Sequence, residues 1–231
     1  MRRIGVLALV GAALVVGVAA ARAAQSPRAL RASILASARA QHSTHYVTTQ
    51  VVGSAVVTIT GDVEAADGIQ HVGLKLGKET AHLTIVVSDQ TLYLQGDKLG
   101  LQLLQGLTKA QASTYAGQWI SIPKGDRDYS STADGVTLGS LLQDITPRGR
   151  LAASTRKLHG KRVLAVAGIT GKGKKKELKV LEARPKGKLP LEEDEVMPGK
   201  EYIARTLLKR WNEAVQAQVP SSSVPIATVR G

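Results

Sequence analysis

The sequence predicts an α+β fold, an antiparallel sheet covered on one face by helices. Three observations carry this. Residues 44–95 are rich in Val, Ile and Thr and broken at short intervals by turn residues. Leu-rich stretches at helical spacing follow, around 98–107 and 137–145. Strand-like runs then return through most of the last third. A sheet with one apolar face must cover that face, and the Leu-rich helices are the available cover.

Each element has a local reason. Ser26-Pro27 reads as an N-cap followed by a first-turn proline. Leu30, Ile34, Leu35 and Ala38 then share one helix face, and the helix ends near Gln41. Breaks at Gly53-Ser54, Ala66-Asp67-Gly68, Gly77-Lys78 and Ser88-Asp89 divide the next segment into five strands, 44–52, 55–65, 69–76, 79–87 and 90–95. Turns this short make neighbouring strands antiparallel. A helix over 98–107 carries Leu99, Leu103 and Leu107 on one face, widened by Leu101 and Leu104. A short strand, 119–123, and a polar loop precede a helix over 137–145. Four more strands are expected at 150–158, 161–169, 175–184 and 188–196. Segment 202–215 fits a strand at its start and a helix face through Ile203, Leu207, Trp211 and Val215. The tail is expected to be extended, with Pro220 and Pro225 opposing a helix.

The first 23 residues read as a targeting segment. Arg2 and Arg3 precede an uncharged apolar run, 4–20, and Ala21-Arg22-Ala23 supplies a small-x-small cleavage pattern. The run is near the minimum for spanning a bilayer, so an uncleaved anchor is the alternative. Residues 24–231 then form a single domain outside the cytoplasm. The formal charge is +13, and it stays strongly positive without Arg2, Arg3 and Arg22. That favours anionic partners, a membrane surface or a wall polymer. Nucleic acid is disfavoured by this address and by an aromatic content of 3% with no Phe. The chain has no Cys, which excludes disulfides, thiolate chemistry and an acylated lipoprotein cysteine.

Candidate chemistry is sparse. His42 with His45, and His71 with His82, lack a third ligand, so no metal is expected. No G-x-S-x-G elbow is present. Asp126 and Asp128 flank Arg127 in a polar loop, where solvation or helix capping explains them. Gly168, Gly173 and Lys174 spell G-x-x-x-x-G-K after an apolar run. A P-loop then needs Ser or Thr and a helix, whereas position 175 is Lys and a strand pattern follows. This segment reads as a charged hairpin tip. Lys172, Lys174, Lys175 and Lys176 are its candidates for an anionic surface, with solvation as the plainer reading. No catalytic residue and no cofactor is expected.

The stretch "AGQWISIPKGDRDYSSTADGVTLGSLLQDI", 116–145, adds a Gly-x-Trp strand closing on Pro, then Gly-Asp, then a short Leu-rich helix. "QTLYLQGD" lies upstream; "HGKRVLAVAG", Leu189-Pro190, "RWNEAV" and "SSSVPI" lie downstream. In this order the chain resembles the actinobacterial LppX/LprG-type lipid carriers, which are similar in fold to the LolA/LolB lipoprotein carriers. The resemblance covers about 28–228. It implies an unclosed half-barrel of antiparallel strands, helices on its concave side, and an apolar cavity for acyl chains between them. It also implies that 202–208 is a strand. On this resemblance the cavity candidates are Leu92, Leu94, Leu101, Leu104, Leu107, Trp119, Leu138, Leu141 and Leu142. Family members of this type usually carry a lipobox Cys, which this chain lacks. The expected function is non-enzymatic lipid binding or transport. The alternative is a structural or wall-associated protein that holds anionic polymers through its lysines.

Overall fold

A computed structural model describes residues 25–171, 173, 176–197 and 202–231, with the side chain of Tyr202 outside the description. The leader 1–23 and the hairpin lysines Lys172, Lys174 and Lys175 lie outside the described residues. The fold is α+β. α1 (Pro27–Arg39) is capped by Ser26, whose Oγ accepts the Ala29 N–H at 3.2 Å. Five strands form the meander: β1 (Ser43–Val52), β2 (Ala55–Glu64), β3 (Gly68–Leu76), β4 (Glu79–Ser88) and β5 (Thr91–Gly96). Then come α2 (Lys98–Leu103), α3 (Lys109–Tyr115), β6 (Ile120–Pro123), α4 (Tyr129–Thr132) and α5 (Leu138–Asp144). The last third holds β7 (Arg150–Leu158), β8 (Lys161–Thr170), β9 (Glu177–Ala183), β10 (Pro190–Met197) and β11 (Tyr202–Lys209). β12 (Val224–Pro225) and α6 (Ile226–Arg230) close the chain.

All the strands join one unclosed curved sheet, ordered β12-β6-β5-β4-β3-β2-β1-β11-β10-β9-β8-β7. The two halves of the sequence meet where β1 pairs with β11, so segment 202–209 is a strand. Every pairing is antiparallel except β12 with β6, which is parallel. Cross-strand register carries one face across the sheet. Leu208, Tyr46, Gly61, Gln70, Ile85, Leu94 and Ile120 stand in one row from β11 to β6. This is the concave face, and the helices pack on it.

Three sequence expectations need correction. The helix expected over 98–107 stops at Leu103, and after the turn at Gly106 (φ +69°) Thr108 opens a second helix with a capping box to Gln111. The polar loop after β6 contains the single turn α4. The tail is not extended to its end, since α6 begins directly after Pro225. Proline opposes a helix interior, but at a helix start its fixed φ is compatible with the first turn.

Candidate functional site

The concave face is filled from both sides. On one side α1 and α5 pack on β8, β9, β11 and β1; Leu138, Leu141 and Leu142 of α5 meet Ile34, Tyr46, Val166 and Leu181. On the other side α2, α3 and α6 pack on β4, β5 and β6; Leu92, Leu94 and Leu101 meet Ile85, Ile120 and Val229. Leu104 and Leu107 are partly buried against this second cluster. Trp119 is half-buried, just before β6 and outside both clusters. Side chains therefore divide eight of the nine cavity candidates between two packed clusters.

A hydrogen-bonded seam separates the clusters. Tyr46 Oη donates to the Gly135 carbonyl at 3.1 Å, and Gln70 Nε2 donates to Tyr46 Oη. Two glycines make room for it. A Cβ on Gly61 would lie 2.3 Å from the Tyr46 ring, and one on Gly68 would lie 1.9 Å from the Val136 carbonyl oxygen. α2 is seated as tightly. Asp97 caps it through Gly100 N–H at 2.6 Å and also accepts the His82 N–H at 2.8 Å.

Between the two helical covers, the lower concave faces of β1, β2 and β3 are less covered. Gln50, Val57 and Leu74 form one cross-strand row and are half-buried. The next row, Val52, Ala55 and Leu76, reaches the open end of the sheet; Val52 is 47% exposed and Leu76 40%. A polar inlay adjoins this strip on β9, β10 and β11. Thr48 and Thr206 share a hydrogen bond of 3.0 Å. Lys179 Nζ donates to the Asp144 carbonyl at 2.6 Å and pairs with Glu195 at 3.0 Å. Glu193 stands beside them, 4.0 Å from the Lys179 ammonium, with no hydrogen-bond partner for its Oε1 among the described residues. Burial pushes the Glu193 carboxyl up to about 8, against the pull of Lys179. Burial also opposes the charge of Lys179, but Glu193 and Glu195 outweigh it and raise its pKa. The sequence expectations do not contain this inlay. Strand parity in β9 and β10 was the signal that could have found it.

A polar cavity of about 1180 Å³ runs along α5, past Thr137, Ser140 and Gln143, to Asp67, Asp89 and Lys179. Its lining suits water or a polar group better than an alkyl chain. On the convex face Glu182, Glu192 and Asp194 bring carboxylate oxygens within 4.8 Å of one another. Arg156 contacts Glu182, and Arg205 reaches Glu192 at 3.2 Å and Asp194 at 2.8 Å, so two guanidinium groups offset most of the charge of the three carboxylates. His45 pairs with Asp62 at 2.8 Å, and His71 with Thr84 at 3.2 Å. Asp126 and Asp128 both hold Arg230 of α6, with both Asp126 contacts at 2.8 Å. That clamp explains the carboxylate pair, and the sequence reading had not connected it to the tail.

Comparison with known proteins identifies this architecture. LprF from Mycobacterium bovis superposes with a TM-score of 0.51, covering 85% of this chain and 97% of LprF at 12% identity. The chain has the LprF fold. The lipoprotein LppX of Mycobacterium tuberculosis aligns over 83% of this chain and 99% of its own, at 14% identity and a TM-score of 0.49. An uncharacterized conserved protein from Thermus thermophilus aligns over 87% of this chain and 98% of its own, at 9% identity and a TM-score of 0.46. No family model and no curated protein matches the chain. The concave side between sheet and helices is occupied mostly by the protein's own side chains. Among the described residues no helix is long and apolar enough to cross a membrane.

Proposed function

We propose that this chain is a non-enzymatic binder or carrier of lipid or another hydrophobic molecule, acting outside the cytoplasm. One observation carries the reading: on the concave face of an LprF-type sheet, the apolar strip Val52–Ala55–Leu76 and Val57–Leu74 is left half-covered between two packed helical lids. An alkyl chain laid along it gains about 25 cal/mol for each Å² of apolar surface removed from water. Eight of the cavity candidates, Leu92, Leu94, Leu101, Leu104, Leu107, Leu138, Leu141 and Leu142, lie deeper, under the two lids, while Trp119 stands outside both clusters. Reaching them requires the lids to part, with Leu104 and Leu107 at the looser margin of one lid. The Tyr46–Gln70–Gly135 seam is the hydrogen-bonded latch that such parting has to release. Secretion through a leader at 1–23 is part of this reading, and with no Cys the chain has no cysteine to carry a lipoprotein's acyl groups.

Native mass spectrometry of protein purified from its own host tests this. Co-purified lipid, or uptake of a fluorescent fatty acid, is the expected result. A clean unliganded mass with no uptake overturns it.

A second reading has its own support. Both halves of the concave face are solidly packed and the large cavity is polar, as in a protein that uses its outside. In that case the lysines hold an anionic wall polymer. Salt-sensitive retention on such a polymer, with no lipid uptake, favours this reading over the first.

A further inference from the structure

We infer that the end of the sheet bearing the β1–β2 and β3–β4 turns is a docking surface for an anionic phospholipid bilayer. Both turns are two-residue hairpins opened by a glycine, Gly53 at φ +57° and Gly77 at φ +62°. They lie side by side, because β2 pairs with β3. The β1–β2 tip reads Val51-Val52-Gly53-Ser54-Ala55-Val56. A half-buried strand alternates apolar and polar residues, so a tip that is apolar on both faces departs from the rule. Val51 faces the convex side, directly across from Ile203 of β11, while Val52 and Leu76 face the concave side. Val51 is 36% exposed and Ile203 54%. Among the described residues, no packing partner covers these four large apolar side chains at one end of the sheet.

Shape and charge point to the occupant. The apolar groups sit on a projecting hairpin end, not in a groove. A rigid protein partner would need a socket around both faces of that tip; the headgroup–acyl boundary of a bilayer adapts to it. Lysines stand immediately behind. Lys75 pairs across from Val56, Lys78 sits in the neighbouring turn, and both are exposed. Lys176 is exposed at the β8–β9 turn, at the same end of the sheet. Glu79 is the acidic residue within the two tips. Apolar tips backed by lysines match a surface that is apolar within and anionic at its headgroups. The inference draws on both faces of the tip, but its apolar substitutions change only the convex Val51 and Ile203, so it does not depend on ligand binding in the concave strip.

Flotation of the protein as recovered from its host, with mixed phosphatidylcholine–phosphatidylglycerol vesicles, tests it. The protein is expected to float with these vesicles and to be released by salt. Val51→Asp with Ile203→Asp should lower partitioning by on the order of tenfold or more. Lys75→Ser with Lys78→Ser should lower it on the order of tenfold and flatten its salt dependence. Circular dichroism should be unchanged, since all four side chains are exposed. Fluorescent fatty-acid uptake, measured in parallel, separates the two proposals. Loss of vesicle binding with uptake retained supports docking at this end. Vesicle binding without any uptake leaves docking standing and removes the carrier reading. Docking is overturned if the wild-type protein does not float, or if both double variants float as it does. It is also overturned if Val51→Asp with Ile203→Asp only converts a sedimenting dimer to monomer, which would assign the tip to a second copy of the chain.

Discussion

Glu193 is a carboxyl that the fold keeps out of water while leaving one oxygen unpaired. Its ordinary value is 4.5 and burial lifts it to about 8. The folded state therefore holds more protons than the unfolded chain between those values, and stability falls as pH rises through that window. Lys179, Glu195, Asp144 and Asp194 are the charged groups around it. Glu193→Gln should flatten the decline and raise Tm at pH 8 relative to wild type, as read by thermal melts at several pH values. Gly61 is the opposite kind of residue, chosen for having nothing. Gly61→Ala drives a methyl into the Tyr46 ring and should cost about 1–3 kcal/mol in a denaturant titration. Neither role was legible in the sequence. "LEEDEV" reads as a solvated acidic run until the strand's face is known, and a strand glycine reads as a weak spot until its cross-strand neighbour is. Both depend on neighbours such as Lys179, Asp144 and Tyr46, set by a register that only pairing defines.

At the scale of the element, the meander was legible because its turns are written in Gly, Asp and Ser at loops of two or three residues. The N-cap and face of α1 were legible for the same local reason. The C-terminal segment was not. Its prolines argued for extended chain, while its helix is held by distant groups. Arg230 is clamped by Asp126 and Asp128, and Ile226 and Val229 press on the cluster under α2 and α3. The Arg230 guanidinium, together with a backbone hydrogen bond from Asp128, holds Asp126 down at about 2. A depressed carboxylate stabilises above its unfolded value, so the clamp is complete above its ordinary 3.8 and is lost as pH falls through about 2. Arg230→Ala should speed amide exchange across 226–230 and leave the sheet protected. Ile226→Ala should cost about 2 kcal/mol by the same titration, the low end for a buried Ile at a cluster's margin.

At the scale of the whole molecule, the α+β class and the open sheet with its helical cover followed from patterning and from the family resemblance. What patterning could not give is how full the concave side is. Leu92, Leu141 and their neighbours carry the same sequence signature whether they line a void or fill one, because burial and cavity lining select the same side chains. The lysine hairpin remains a prediction at this scale. Replacing Lys172, Lys174, Lys175 and Lys176 by Ser should weaken vesicle binding and leave fatty-acid uptake intact. Unchanged vesicle binding returns those lysines to solvent.

The open sheet has two unlike edges. β7 is nine residues long and mostly exposed, and one of its backbone ladders is free; at the other edge β12 contributes two residues and β6 four. A long unpaired strand is a template for fibril growth, and Arg150, Arg156 and Lys157 stud this one with like charge. Growth by adding one molecule's free edge to the next would also have to match nine residues against two. The mismatch opposes head-to-tail growth, because each joint would pair two strand residues and leave the rest of the nine-residue ladder without a match.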